Sequence, residues 1–308
     1  MTGERVLVVG ASGFLGRHLC PRLFAAGAEV HAVSRRRVHR HPAAARWWTA
    51  DVADEAATRE LVQAVKPDVV LHLGAFTHAA SDLELVLPTF RSALASTVNL
   101  LTALTEQGCR RIVLTGSMEE PVGDATVVRP ASPYAAAKWA ASAYARMFHA
   151  LYHAPVVIAR LTLTYGPGQL ERKVIPSTIL SLLRGQPPRV SSGTRSWDVI
   201  YVDDAVEALM RLAEGRGPDG ATVDIGTWRL TTLRSVVERL VAIVDPTIVP
   251  AFGAMPDRPL TDSRAADAAA TAALLGWRAA TPLEVGLRRT VDWYRAHMTR
   301  SRHHGVAK

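Results

Sequence analysis

Cysteine is scarce: Cys20 and Cys109 are the whole complement in 308 residues, and neither has a C-x-x-C partner. That pattern argues against a metal site, a disulfide framework and a redox motif, and it points to a reducing, cytoplasmic setting. Long apolar runs are missing too. No window approaches the roughly 20 apolar residues that cross a bilayer. The first run, Val6-Leu7-Val8-Val9, meets a glycine without the longer core and small-residue cleavage site of a secretory signal. There is no internal repeat, no low-complexity linker, no helix-turn-helix pattern and no basic stripe interleaved with aromatics. Neither nucleic acid nor membrane is therefore an expected partner, although the formal net charge is +8. An excess of cations also suits anionic small molecules, and phosphorylated ligands explain it better.

What is present is a core-forming composition, 48% apolar and 21% charged, in a chain long enough for about two domains. Short β-branched runs at 5–9, 29–33, 47–50, 69–73, 111–115 and 156–161 alternate with stretches of helical period at 14–26, 55–65, 94–106 and 135–152. Near-continuous apolar strands belong to a parallel sheet covered on both faces, and right-handed crossovers then give an α/β, Rossmann-like doubly wound fold. Residues 1–162 are assigned to this dinucleotide-binding domain, and later helices, at about 203–244 and 283–298, are expected to return to it. Gly166-Pro167-Gly168 and Pro187-Pro188 break the rhythm, so 163–202 and 245–282 are assigned to a smaller substrate-binding lobe. The basic tail from Arg300 is expected to fray.

The first predicted strand runs into Gly10-Ala11-Ser12-Gly13-Phe14-Leu15-Gly16 and then a helix. Gly10 permits the tight turn, Gly13 lets the backbone approach a pyrophosphate, and Gly16 lets the helix pack on the sheet. The helix amino terminus adds N–H donors and a positive dipole end. Gly10, Ser12, Gly13, Phe14, Leu15 and Gly16 are thus the expected phosphate cradle, in the strand-to-helix context that the motif requires. No Asp or Glu ends the second strand, where NAD would need one for its ribose. Ser34, Arg35 and Arg36 stand there instead, and guanidiniums suit a 2′-phosphate. NADP(H) is preferred on this ground, with NAD(H) as the alternative and a solvated basic loop as the bland one. Asp51 and Val52 follow the third strand, where a carboxylate can meet the adenine amine. Leu73, Gly74 and Ala75 end the fourth, where small residues let a cofactor pass near backbone.

Tyr134-Ala135-Ala136-Ala137-Lys138 opens a predicted helix, with Tyr134 and Lys138 one turn apart on one face. A phenol titrates near ~10 when free. A neighbouring ammonium and an oxidised nicotinamide would both lower that value and make Tyr134 an acid-base group. Lys138 would also hold the nicotinamide ribose. Ser117, at the end of the fifth strand, would orient the substrate oxygen, and its bland reading is a turn serine. Y-x-x-x-K alone mostly marks an amphipathic helix face; its force here is its position after the fifth strand of a sheet already carrying the cradle.

These motifs, with Pro133-Tyr134, Arg160-Leu161, Tyr165-Gly166-Pro167-Gly168, Tyr201-Val202-Asp203-Asp204, Arg258-Pro259 and Leu275-Gly276-Trp277, mean that the chain resembles the extended short-chain dehydrogenase/reductases. The resemblance, to their epimerases, dehydratases and reductases of nucleotide sugars, covers nearly the whole chain. It implies Ser117, Tyr134 and Lys138 as a catalytic triad and Leu161 as a further cofactor contact. It implies Lys173, Arg195 and Arg258 as the lining of a nucleotide diphosphate pocket, and a homodimer built on helices at 86–107 and 134–152. Glu119 is counted with the substrate contacts. There are departures. Ala93 and Leu163 stand where many relatives carry Asn, so one usual diphosphate contact is missing. Met118 and Glu119 follow Ser117 where 4,6-dehydratases carry Asp and Glu, and Gly116-Ser117-Met118-Glu119-Glu120-Pro121 has one residue more than the usual loop.

A methionine transfers no proton, so elimination is disfavoured. Arginines after the second strand favour NADPH and reductive chemistry. The expected reaction is reduction of the 4-keto group of a nucleotide-linked deoxysugar, with Tyr134 as proton donor. Sugar C4 epimerisation with tightly held NAD(P) is the alternative. A ketoreductase acting on a non-nucleotide small molecule, which Leu163 would allow, is another; a catalytically silent NADP-sensing protein is the last. His72 is expected to be a packed histidine, and Trp197 either covers the substrate or fills the smaller lobe.

Overall fold

Val6, Leu7, Val8 and Val9 are each at most 3% exposed. Successive strand side chains point to opposite faces, so burial of all four requires cover on both sides of the sheet. The computed structural model describes residues 1–37, 45–78, 80–123, 129–257 and 263–304. The chain divides into two compact units. The first holds residues 1–161, 206–225 and 267–277, and the second holds 162–205, 226–266 and 278–308.

In the first unit, β1 (Arg5–Val9) leads to α1 (Phe14–Ala25), then β2 (Glu29–Ser34), β3 (Arg46–Thr49), α2 (Glu55–Val65) and β4 (Val69–His72). Next, α3 (Val86–Thr89) continues through a π-helical stretch, Phe90–Ala95, into α4 (Ser96–Gln107). Then come β5 (Arg111–Ser117), α5 (Pro133–Tyr152) and β6 (Val156–Leu161). All six strands are near the expected positions and pair in parallel, in the order β3-β2-β1-β4-β5-β6. This is the doubly wound order in which the chain reverses direction beside β1, the place where such sheets bind ligands.

Local chemistry sets the helix bounds that matter. Ser132 caps α5 by accepting from the Ala135 N–H at 3.1 Å, and Pro133 stands at the first helical position, where no N–H is needed. Alanines fill the next turn, and the helix stops at His153 with φ +57°. Asp54 caps α2 in the same way through Ala57 at 2.8 Å. On one sheet face Leu7, Leu61, Val62, Leu101 and Leu104 interlock. Burying each such side chain is worth about 1.5–3 kcal/mol.

The second unit opens with β7 (Leu163–Tyr165), α6 (Val174–Leu183), β8 (Arg189–Val190) and β9 (Ser196–Tyr201). The chain then passes along α7 (Val202–Ala213) into the first unit for β10 (Thr222–Ile225), a seventh, unanticipated strand that pairs in parallel with β6. It returns for β11 (Leu230–Thr232), α8 (Leu233–Val244) and β12 (Ala251–Phe252). After α9 (Ala268–Leu275), which belongs to the first unit, α10 (Leu283–His304) ends the described chain.

This partition differs from the expected return of 226–244 and 283–298 to the sheet-bearing body, and from the assignment of 267–277 to the smaller lobe. The reason lies in packing. Leu233 and Val237 of α8 bury against Val190, with Trp197 and Phe252 around them, and α10 packs on α8 and α6. Conversely, Thr271 of α9 donates a 2.6 Å hydrogen bond to the Asp224 carbonyl of β10. The helix of the tail also continues to His304, past the expected fray. Among the described residues, no helix is long and apolar enough to cross a membrane.

Candidate active site

The turn after β1 is shaped by sterics. Gly10 has φ +84°, and a Cβ there would come within 2.8 Å of the Gly74 backbone. Only glycine satisfies both conditions. The Gly13 N–H donates to the Gly10 carbonyl at 2.9 Å, and Gly13 is itself the N-cap residue of α1. Its position leaves the first N–H groups of α1 directed out of the helix end, a ready anion cradle. Gly16 acts differently from expectation: a Cβ there would lie 2.5 Å from Ala11, so its role is to seat the helix on the turn itself. Ser12 contributes its carbonyl, which accepts from the Arg17 guanidinium at 2.9 Å. Phe14 meets His18 edge-on, and Leu15 is half-buried.

At the end of β2, the Ser34 hydroxyl donates to the Arg36 carbonyl at 2.7 Å and accepts from the Arg36 N–H at 3.3 Å. Ser34 therefore builds the turn, while Arg35 lines a cavity of about 270 Å³ together with Asp51, Phe76, Arg91 and Ser92. Arg36 is exposed beside it. Asp51 Oδ1 accepts from the Ala53 N–H at 3.1 Å. Val52 is buried, its carbonyl held by Asn99 Nδ2 and the Thr58 hydroxyl. Leu73 is tied to β1 by donation to the Val9 carbonyl, and Gly74 and Ala75 follow it, half-buried.

The catalytic candidates meet where β5 ends and α5 begins. The side chains of Ser117 and Tyr134 hydrogen-bond to each other, and Ser117 Oγ also accepts from the Glu119 N–H at 3.1 Å. Lys138, one turn along α5, is buried and donates to the Thr115 carbonyl at 2.6 Å. The electrostatics depart from the expectation. Burial of the phenol, with the Glu119 and Glu120 charges, pushes the Tyr134 pKa up, and only the Ser117 bond pulls it down. Lys138 is lowered to about 8 by burial, partly offset by Glu120. The ammonium is occupied by Thr115, so the protein alone does not supply the expected depression of the phenol.

Two further groups join this cluster. Glu120, 6% exposed, accepts from the Ser117 backbone N–H at 2.6 Å, and burial holds its pKa above the usual carboxylate range. In the sequence it reads as one more loop acid; the signal was Gly116, where a Cβ would collide with the Glu120 carboxylate at 2.7 Å. His72, packed as expected, bonds Ser96 through Nε2 at 3.1 Å, and burial plus the Lys138 charge lower its pKa to about 3. Arg91 is the second omission after Glu120, since an arginine in a helical stretch reads as a solvated face.

The remaining candidates are not part of this cluster. Leu161 ends β6 and accepts from the Met118 N–H at 3.0 Å. Lys173 and Arg195 belong to the second unit, Lys173 as the residue preceding α6 and Arg195 with its guanidinium 4.9 Å from the Trp197 ring centre. Trp197 packs with the small cluster around Val237, the filling role of its two readings. Arg258 lies outside the described residues.

Comparison with known proteins gives a consistent picture. The model of the NAD dependent epimerase/dehydratase family matches residues 6–226. A curated relative from Sinorhizobium fredii, a probable dTDP-glucose 4,6-dehydratase, is 29% identical, over 94% of this chain and 92% of its own. The UDP-glucose 4-epimerase of Thermotoga maritima, solved with UDP-glucose, superposes with a TM-score of 0.88 over 96% of this chain and 99% of its own, at 24% identity. MoeE5, solved with UDP-glucuronic acid and NAD, gives 0.84 at 29% identity over 95% of this chain and 99% of its own.

Proposed function

Because the chain belongs to the NAD dependent epimerase/dehydratase family, and is thus an enzyme of the extended short-chain dehydrogenase/reductase type, we propose that it reduces the 4-keto group of a nucleotide-linked deoxysugar with NADPH. The observation that carries this reading is the end of β2, where Ser34, Arg35 and Arg36 stand in place of a carboxylate and Arg35 lines a cavity. Guanidiniums there suit the 2′-phosphate of NADPH, the cofactor of reductive chemistry, and reduction of a carbonyl consumes one proton, which Tyr134 is assigned to give.

The residues fit a dinucleotide. The Gly10 turn, which no Cβ can enter, and the open end of α1 suit a pyrophosphate, with Ser12, Gly13, Phe14, Leu15 and Gly16 around it. Arg35 and Arg36 suit a 2′-phosphate, Asp51 and Val52 an adenine, and Leu73, Gly74, Ala75 and Leu161 the path between. When bound, NADPH supplies the hydride to the carbonyl carbon. The rest falls to the protein. Ser117 orients the carbonyl oxygen. Tyr134 gives its proton to that oxygen, so the product is an alcohol and the phenol is left as phenolate. Lys138, which Glu120 helps to keep cationic, would hold the nicotinamide ribose and, with the cofactor bound, lend its charge to that phenolate. Glu119, Lys173, Arg195 and Arg258 are assigned to the sugar nucleotide.

Elimination of water needs an acid/base pair besides Tyr134. Met118 cannot serve, and the Glu120 carboxylate is bonded to the Ser117 N–H. Of the three residues after Ser117, Glu119 is left for that work. C4 epimerisation with retained NAD is the second reading, favoured by the 29%-identical MoeE5 with its NAD and sugar nucleotide. The test is to supply a nucleotide-linked 4-keto-6-deoxyhexose with NADPH and follow absorbance and product. Stoichiometric NADPH oxidation with a deoxyhexose product is expected. Interconversion of C4-epimeric sugar nucleotides without net cofactor turnover would replace the reductase reading by the epimerase one.

We also propose a homodimer in the cytoplasm. Leu87 and Phe90 of the α3–π segment, and Tyr144 and Leu151 of α5, leave large apolar side chains exposed at 43–70%. Light scattering should give twice the chain mass, and a monomer at micromolar concentration would refute the assembly.

A further inference from the structure

Arg91 comes from the π-helical stretch Phe90–Ala95, far in sequence from the end of β2, yet it lines the same cavity of about 270 Å³ as Arg35. Neither guanidinium has a hydrogen bond or ion pair among the described residues. Among the described residues Asp51 is the one carboxylate on the cavity wall, and its Oδ1 is engaged by the Ala53 N–H. Phe76 adds an aromatic ring, and its backbone N–H is anchored to the π stretch by donation to Ser92 Oγ at 2.9 Å. One cavity therefore holds an acceptor and a ring suited to a base, beside two guanidiniums suited to an anion. π turns recur at functional sites because they re-aim side chains that a regular helix would spread elsewhere.

We propose that Arg91 and Arg35 form a two-arginine clamp for the 2′-phosphate of an adenine nucleotide, with Arg91 a specificity-determining residue for NADP(H). The inference rests on the NADPH reading and deepens it. A ribose 2′-hydroxyl would call for a carboxylate near the end of β2. Two guanidiniums without a partner and a single carboxylate among the described residues of one cavity call instead for an anion, and a phosphate between two planar forks is held in orientation as well as by charge.

The experiment is calorimetric titration of the full chain with adenosine 2′,5′-bisphosphate and with 5′-AMP, in wild type, Arg91→Ala and Arg35→Ala. Wild type should prefer the bisphosphate. Arg91→Ala should weaken the bisphosphate by about tenfold or more, the loss of one charge-assisted contact, and change 5′-AMP by less than about twofold. Unchanged bisphosphate affinity in Arg91→Ala, with wild-type preference intact, overturns the clamp and leaves the NADPH reading standing. Equal losses for both ligands also overturn it, because Arg91 would then act as general positive charge. If wild type binds both ligands equally, the NADPH reading falls and the clamp with it. Arg91 is exposed, and matching wild-type thermal unfolding serves as the folding control.

Discussion

The Glu120 carboxylate sits under the end of β5, 2.6 Å from the Ser117 backbone N–H, in space that only a glycine at position 116 leaves open. A buried acid beside a buried ammonium sets the balance of the whole cluster, since Glu120 is the group that raises Lys138 against its burial. Glu120→Gln keeps the hydrogen-bond acceptor and removes the charge. The Lys138 pKa, about 8 in the native chain, should then fall further. The ammonium is needed to hold the phenolate, so activity should disappear at lower pH than in wild type. A pH profile of kcat/KM should show its alkaline limb displaced downward, with little change near pH 6. An unmoved limb would remove Glu120 from this role.

Tyr134→Phe tests the proton donor itself. The ring, and so the packing at the start of α5, is preserved, while the hydroxyl bonded to Ser117 is lost. Turnover should fall by orders of magnitude, at least the roughly 10²–10⁴-fold usual for a removed acid-base group, with NADPH affinity nearly unchanged. Stopped-flow reduction and fluorescence titration separate the two quantities. Near-native turnover would strike Tyr134 from the mechanism.

Much of this was legible in the sequence. Six strands could be read because near-continuous apolar residues at strand length, each ending in small or polar residues, leave few other folds. The cradle could be read because Gly10 and Gly16 are demanded by sterics that no other residue meets. β10 was missed because four residues with Asp224 among them carry too little pattern, and that carboxylate is buried by pairing with Arg160 at 2.6 Å and accepting from the Asp267 N–H at 3.2 Å. The Tyr134–Lys138 spacing was readable, but its electrostatics were not: spacing places two side chains on a helix face without revealing that the Thr115 carbonyl captures the ammonium. Glu120 and Arg91 were missed for the same reason. Charged residues look solvated in sequence, and only three-dimensional neighbours distinguish a buried acid or a cavity-lining base from the ordinary surface.

His72 links that buried polar chain to stability. Its pKa of about 3 lies below the free value of 6.5, so the folded protein favours neutral imidazole. A group depressed on folding contributes its full stability above the unfolded pKa, and loses it as pH falls toward the folded one. The urea midpoint should therefore drop between pH 6.5 and about 3, with a proton taken up on unfolding. His72→Gln should flatten that slope, leaving a weaker one from His31, whose pKa is also lowered by burial. A slope identical to wild type would mean that His72 is already protonated in the native state.

Two glycines of nearly equal φ separate backbone strain from ligand space. Gly10 has φ +84° and Gly108, the residue ending α4, has φ +82°. A Cβ on Gly108 meets nothing within 4 Å, whereas one on Gly10 would overlap the Gly74 backbone at 2.8 Å. Alanine at either position incurs the left-handed penalty of about 1–3 kcal/mol. Only Gly10→Ala must also push β4's end away from β1's and deform the turn that cradles phosphate. Thermal unfolding should accordingly show both variants destabilised, Gly10→Ala more so. NADPH titration should show at least about a tenfold loss for Gly10→Ala and none for Gly108→Ala, since the clash reshapes the donors of the anion site rather than the chain at large. If both variants bound NADPH as wild type does, the turn after β1 would not be where the pyrophosphate lies.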